Sequence, residues 1–207
     1  MGLFNNFVNQ TRKPEGFLGG MMIKTMNSGH AKMADWGLDH LSGIEPSSIV
    51  DLGCGGGRNA GELLKRYSKA SVTAIDYSPL SVDKAKEYNR TAIEEGRCNV
   101  LQNDVSALTL PKEEYDLATA FETVYFWPGL EKSFAQVCGV LKPGGYFLIV
   151  NESDGFDDTG RKFEKIIDGM TVYTAEEISD ALRAAGFAEV ISDHYSGKPW
   201  IVVLARK

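Results

Sequence analysis

From residue 48 onward the chain alternates between two hydrophobic rhythms. Short β-rich runs at Ser48–Leu52, Ser71–Asp76, Cys98–Gln102, Tyr115–Phe121 and Tyr146–Val150 predict strands. The last of these is apolar throughout, as a strand buried on both faces must be. Between the runs, apolar residues recur at the three-to-four spacing of one helix face. Ala60, Leu63, Leu64 and Tyr67 make one such stripe, and Leu130, Phe134, Val137, Cys138 and Leu141 another. A third helix starts at Ser78-Pro79, with serine as cap and proline at the first helical position, and runs through Val82, Ala85, Asn89 and Ala92 to Gly96. Thr174-x-x-Glu177 is a capping box that opens a helix over Ala175–Ala185, and Gly186 closes it. Ala188–Ser192 and Trp200–Ala205 are two final strands. The turn between them, Ser196-Gly197-Lys198-Pro199, is too short for a crossover helix, so they pair antiparallel. Alternating strands and helices predict an α/β fold with a doubly wound, mostly parallel sheet.

Two segments stand outside this alternation. Residues 1–45 form an N-terminal extension with helical character from about Met21 to Leu41, ahead of a compact domain over 46–207. Residues 151–173 form a polar insert with a helical stretch at Lys162–Asp168.

Composition narrows the function classes. A chain of 207 residues, 43% hydrophobic and 24% charged, is one globular domain that buries a core without disulfides. The net charge of −6 opposes a surface built to neutralise phosphates, so no nucleic-acid partner is expected. The three cysteines, Cys54, Cys98 and Cys138, are odd in number and widely spaced, which fits neither a disulfide framework nor a metal site. Met1–Gln10 lacks the pattern of a secretory signal, and no apolar stretch approaches membrane-spanning length. The expectation is a cytoplasmic protein with no membrane association.

The chemistry gathers at Val50–Ala60, which reads V-D-L-G-C-G-G-G-R-N-A. A strand ends at Leu52, four glycines follow, and a helix begins. Glycines allow a sharp turn and close approach of a ligand, and the helix start offers free N–H donors. The dinucleotide fingerprint puts glycine at its sixth position, where this chain has Arg58. Asp51, two residues before the first glycine, would repel a pyrophosphate but suits an ammonium group. Asp76 ends the next strand, placed to accept from a ribose diol. Asp104, after Asn103, ends the third and is placed to accept from an adenine amine. The ligand implied is a nucleoside carrying a cationic amino-acid tail and no phosphates.

At these residues the chain resembles the class I S-adenosylmethionine-dependent methyltransferases of small-molecule type. The match is D-x-G-x-G-x-G at Asp51–Gly57, the acid of I-D-Y-S-P at Asp76, N-D-V at Asn103–Val105, L-K-P-G-G-Y-F-L-I-V at Leu141–Val150 and A-G-F at Ala185–Phe187. The resemblance implies a Rossmann-like seven-stranded sheet whose last inserted strand is antiparallel, with S-adenosylmethionine as cofactor and S-adenosylhomocysteine as product. It implies that Asp51 and Gly53 hold the methionine part, that Asp76 holds the ribose with Tyr77 beside the adenine, and that Asp104 contacts the adenine amine. Cys54, Gly55, Asn103, Val105 and Phe121 complete the expected cofactor contacts.

Methyl transfer from a sulfonium is a direct displacement, so the protein mainly aligns donor and acceptor, adding a base where the acceptor carries a proton. Glu122 and His30 are the candidate bases; His30 has a suitable ordinary pKa and shares a helical stripe with Met26 and Met33. Tyr125 and Trp127 in the loop before Pro128, Met26 and Trp36 in a helical lid, and Asn151 with Glu152 at a strand end are the expected pocket walls. No metal is expected. The leading expectation is methyl transfer to a small-molecule acceptor. The alternatives are a methyltransferase acting on tRNA or protein, a nicotinamide-dependent oxidoreductase and a non-catalytic cofactor-binding module.

Overall fold

The computed structural model describes residues 15–16, 19–21 and 29–207. Seven strands form one sheet: β1 Ser48–Leu52, β2 Ser71–Asp76, β3 Cys98–Gln102, β4 Tyr115–Phe121, β5 Leu141–Asn151, β6 Glu189–His194 and β7 Ile201–Arg206. Their order is β3-β2-β1-β4-β5-β7-β6. β1 to β5 pair in parallel, and β7 slots antiparallel between β5 and β6, as the short hairpin turn requires. The chain order reverses between β1 and β4, where open α/β sheets place ligands at the strands' carboxyl ends.

Helices cover both faces. On one lie α1 Ala31–Asp39, α2 Arg58–Arg66, α3 Pro79–Tyr88 and the short α4 Arg90–Glu94; on the other α5 Leu130–Val140 and α7 Ala175–Ala184. α6, Asp158–Ile166, lies in the polar insert and begins four residues earlier than Lys162, because Asp157 accepts from Gly160 N and caps it there. One core cluster joins Ile49, Leu117, Phe121, Leu148 and Val150 to α1, α2 and α3. The other joins Val50, Leu52, Phe147 and Ile149 to α5 and α7. Strand alternation sends successive side chains to the two clusters, so β4 and β5 are apolar on both sides.

The N-terminal segment joins this core through α1. Met33, Ala34, Gly37 and Leu38 of α1 are buried. A Cβ on Gly37 would stand 2.4 Å from Val150 Cγ2, so the helix backbone lies directly on the sheet. Arg58 and Arg66 of α2 strap it down through Asp35 at 2.6 Å and Asp39 at 2.7 Å. The expected lid is therefore a docked helix over Ala31–Asp39. Met26, on the same expected stripe, lies outside the described residues. Gly37→Ala should lower Tm by roughly 3–10 °C, since overpacking outweighs alanine's helix preference. An unchanged Tm in thermal unfolding would mean that α1 is not so tightly seated.

The single helix expected from Ser78 to Gly96 is broken at Asn89. The Asn89 amide donates to the carbonyls of Gly57 at 2.9 Å and Ala85 at 3.1 Å. It tethers the glycine loop to the end of α3, and the helical path restarts as α4.

Candidate active site

The loop between β1 and α2 is held by backbone and carboxylate alike. Cys54 N donates to the Ile75 carbonyl at 2.8 Å, and Gly53, Gly55 and Gly57 all have positive φ. A Cβ at Gly53 would strike Thr123 Oγ1, and one at Gly57 would strike Asn89 and Ala85. Gly55 has nothing within 4 Å of where a Cβ would stand. The loop is thus packed on two sides and open on the third, which is the cradle a ligand needs. The open side faces a cleft lined by His30, Gly53, Cys54, Gly55, Arg58, Asn59, Phe121 and Glu122.

Three carboxylates stand around the loop. Asp51 is 1% exposed; its Oδ1 accepts from Thr119 at 2.8 Å, and its Oδ2 has no partner among the described residues. Burial pushes its pKa up to about 7, with the Asp76 charge adding to the rise. An unsatisfied buried oxygen on an acid that is reluctant to ionise fits a cationic group that arrives with the ligand. Asp76 accepts from Gly55 N and Ser78 N, both at 2.9 Å, so it stitches the loop to the turn after β2. Asn103 N donates to the Asp76 carbonyl at 3.1 Å, bringing the ends of β2 and β3 together. There Asp104 is exposed and caps the turn Val105–Ala107 through Ser106, Asn103 holds Thr109, and Tyr77 is exposed at 39%. Val105 packs partly against the α5–α7 cluster.

Beyond the loop lies a group of acid–base side chains. Glu122 has φ 57, a left-handed backbone rare for a residue with a side chain. This kink ends β4 and turns the carboxylate towards the cleft. Its Oε1 is held by Tyr125 Oη–H at 3.1 Å and by the Glu152 backbone N–H. His30, just before α1, places Nε2 3.3 Å from Glu152 Oε2. The ligating atoms of His30, Glu122 and Glu152 all lie within 4.8 Å of one another, a compact seat for a cation. Burial pushes Glu122 up to about 7; His30 draws it down and Glu152 raises it further. Burial alone would depress the His30 pKa, but its hydrogen bond to Glu152 and the two nearby carboxylates outweigh that and raise it. Glu152 is held below the usual range, chiefly by His30.

Four expected pocket residues are not among those that line this cleft. Trp127 is core: its ring stacks on Phe147 at 6.2 Å and meets Phe134 at 5.9 Å on the α5 side, because the turn Val124–Phe126 carries the chain over the sheet edge. Tyr125 is 3% exposed and reaches the site through its hydroxyl on Glu122, so it positions that carboxylate. Asn151 follows Ile149 by two residues and shares its α5–α7 side, away from the glycine loop. It is fully buried, and neither atom of its amide has a partner among the described residues. The next residue, Glu152, is the one that reaches the site. Trp36 packs with His40, Tyr195 and Trp200 in an aromatic group beside the β6–β7 hairpin.

Residues 49–145 match the family of methyltransferase domains. The sterol 24-C-methyltransferase of Debaryomyces hansenii is 26% identical over 175 residues, which is 78% of this chain and 46% of that protein. The cycloartenol-C-24-methyltransferase of Arabidopsis thaliana is 29% identical over 176 residues, covering 78% and 52%. The chain spans about half the length of these curated relatives. Human N-acetylserotonin methyltransferase, solved in complex with S-adenosylmethionine, matches with a TM-score of 0.73 at 20% identity over 90% of this chain and 55% of that one, a likeness of fold. The chain is thus similar to S-adenosylmethionine-dependent methyltransferases in its family match, in sequence and in fold, and S-adenosylmethionine is the cofactor that these matches support. Among the described residues no helix is long and apolar enough to cross a membrane.

Proposed function

We propose that the protein transfers the methyl group of S-adenosylmethionine to a small-molecule acceptor by direct displacement. One observation carries this reading: the glycine cradle and the His30–Glu122–Glu152 group line and adjoin a single cleft. The cradle and Asp51 take the cofactor's amino-acid part, and Asp76, Tyr77 and Asp104 flank its nucleoside. The acceptor meets the sulfonium from the side of His30. His30, oriented by Glu152, accepts the acceptor's proton, and Glu122 stands beside it. Arg58, the arginine of the cleft, is already paired with Asp35. The chain's net charge of −6 also disfavours tRNA as acceptor.

Labelled methyl transfer tests the acceptor class. Incubation with methyl-labelled S-adenosylmethionine and separate fractions of small metabolites, tRNA and protein should put label in the first alone. Label confined to tRNA or protein would replace this reading with a macromolecular one.

A further inference from the structure

We infer that the acceptor is an aliphatic amine, bound as its ammonium ion between Glu122 and Glu152. This rests on the methyltransferase reading above and names the substrate class of that same site.

Two carboxylates converge on the cleft, and the ordinary ways of neutralising them are partly closed. Arg58 is committed to Asp35. Lys198, whose charge reaches Glu152, is exposed on the β6–β7 turn. Glu122 spends Oε1 on the hydroxyl of Tyr125 and the backbone N–H of Glu152, which leaves Oε2 for the cleft. Glu152 Oε2 faces His30, and the Trp200 side chain also hydrogen-bonds this carboxylate. Trp200 belongs to the aromatic group with Trp36 and Tyr195, its ring 4.7 Å from that of Tyr195. Carboxylates beside aromatic faces suit an ammonium, whose N–H bonds reach acceptors while its attached carbons meet rings. A phenolate or carboxylate acceptor would be repelled by both acids. A neutral alcohol could donate one hydrogen bond to these acids but would neutralise neither.

The chemistry balances. The ammonium gives one proton to the His30–Glu152 pair and becomes a neutral amine. Its nitrogen lone pair forms the N–CH3 bond as the C–S bond breaks, and sulfur keeps that electron pair as a thioether. The product is an N-methylammonium ion, so the net reaction converts ammonium and sulfonium into methylammonium, thioether and one proton. His30 passes that proton to solvent.

The test uses the full chain saturated with S-adenosylhomocysteine, whose binding is first established by calorimetry. Benzylamine, benzyl alcohol and benzoate are then titrated at pH 8, followed by tryptophan fluorescence. Benzylamine should bind roughly tenfold or more tighter than benzyl alcohol, with benzoate weakest. Glu152→Gln should erase that preference while S-adenosylhomocysteine affinity holds. Equal or weaker binding of benzylamine, or no binding of any of the three, overturns the inference, and the wild-type comparison stands even if the variant does not fold. A parallel titration with Mn2+ should leave the protein unoccupied. Tight Mn2+ binding that His30→Ala abolishes would reassign the seat to a metal ion. Loss of S-adenosylmethionine affinity in Glu152→Gln, with S-adenosylhomocysteine affinity kept, would mean that the acids serve the sulfonium alone. Failure of S-adenosylhomocysteine to bind at all would sink the methyltransferase reading itself, a separate result from loss of the amine preference.

Discussion

His30→Ala should lower kcat by roughly 10²–10⁴, the usual contribution of a positioned base, on the acceptor returned by the labelled-methyl screen. Its affinity for S-adenosylhomocysteine should stay within about twofold, since the cradle lies on β1 and β2 and not on the start of α1. His30 is a residue of the site because α1 is docked: Gly37 lies on Val150, and Arg58 and Arg66 fasten the helix through Asp35 and Asp39. The Glu152 carboxylate then fixes the ring 3.3 Å away and raises the proton affinity of the imidazole. His30→Gln keeps polarity without a titrating group and should be as slow as the alanine variant. Full turnover in both would reduce His30 to a packing residue.

The second large effect belongs to Asp51. Its pKa stands at about 7 in the cofactor-free protein, pushed up by burial from an ordinary 3.8. The cofactor's ammonium needs the carboxylate form. Below pH 7 a proton must leave before that pairing forms, so affinity should fall by about tenfold per pH unit and level off above neutrality. Asp51→Asn should flatten the profile and weaken binding at pH 8 by roughly tenfold or more. The same shift acts on the free protein with the opposite consequence. A carboxyl whose native pKa is raised binds more protons folded than unfolded between about 4 and about 7. Its contribution to stability is therefore present at low pH and lost as pH rises through about 7. Glu122, also raised to about 7, acts in the same direction. Tm should decline from pH 5 to pH 8 without ligand, and saturating S-adenosylhomocysteine should reverse that trend. A Tm rising over this range in the free protein would contradict the buried-acid account.

Much of this arrangement is legible in the sequence. β3 and β4 fall on the runs that hydrophobic spacing marked, and Ser78 and Thr174 cap the helices their side chains suggested. Such signals are local, carried by residues a few positions apart. The place of the glycine loop between β1 and α2, and of Asp76 at the end of β2, is legible for the same reason, since strand, loop and acid follow in one short stretch. What escaped depends on contacts across the chain. Asn89 sits in a helical rhythm and breaks it because its amide prefers the Gly57 carbonyl, 32 positions away. Trp127 precedes a proline in a loop and reads as a pocket wall, yet the kink at Glu122 and the turn after it deliver its ring to Phe134 and Phe147. Asn151 ends β5 and Glu152 follows it, but the alternation of the strand gives the cleft to the second, and the face is set by which neighbours Ile149 and Val150 find.

The central claim is that the cleft beside the glycine loop is an S-adenosylmethionine site with Asp51 at its charged end. A calorimetric titration of S-adenosylhomocysteine into wild-type protein and Asp51→Asn at pH 8, with NADH as the comparison ligand, tests it most directly. The account predicts a single saturable S-adenosylhomocysteine site in the wild type, clearly weakened in the variant, and no heat from NADH. Binding of NADH in place of S-adenosylhomocysteine, or equal S-adenosylhomocysteine affinity in the two proteins, would contradict it.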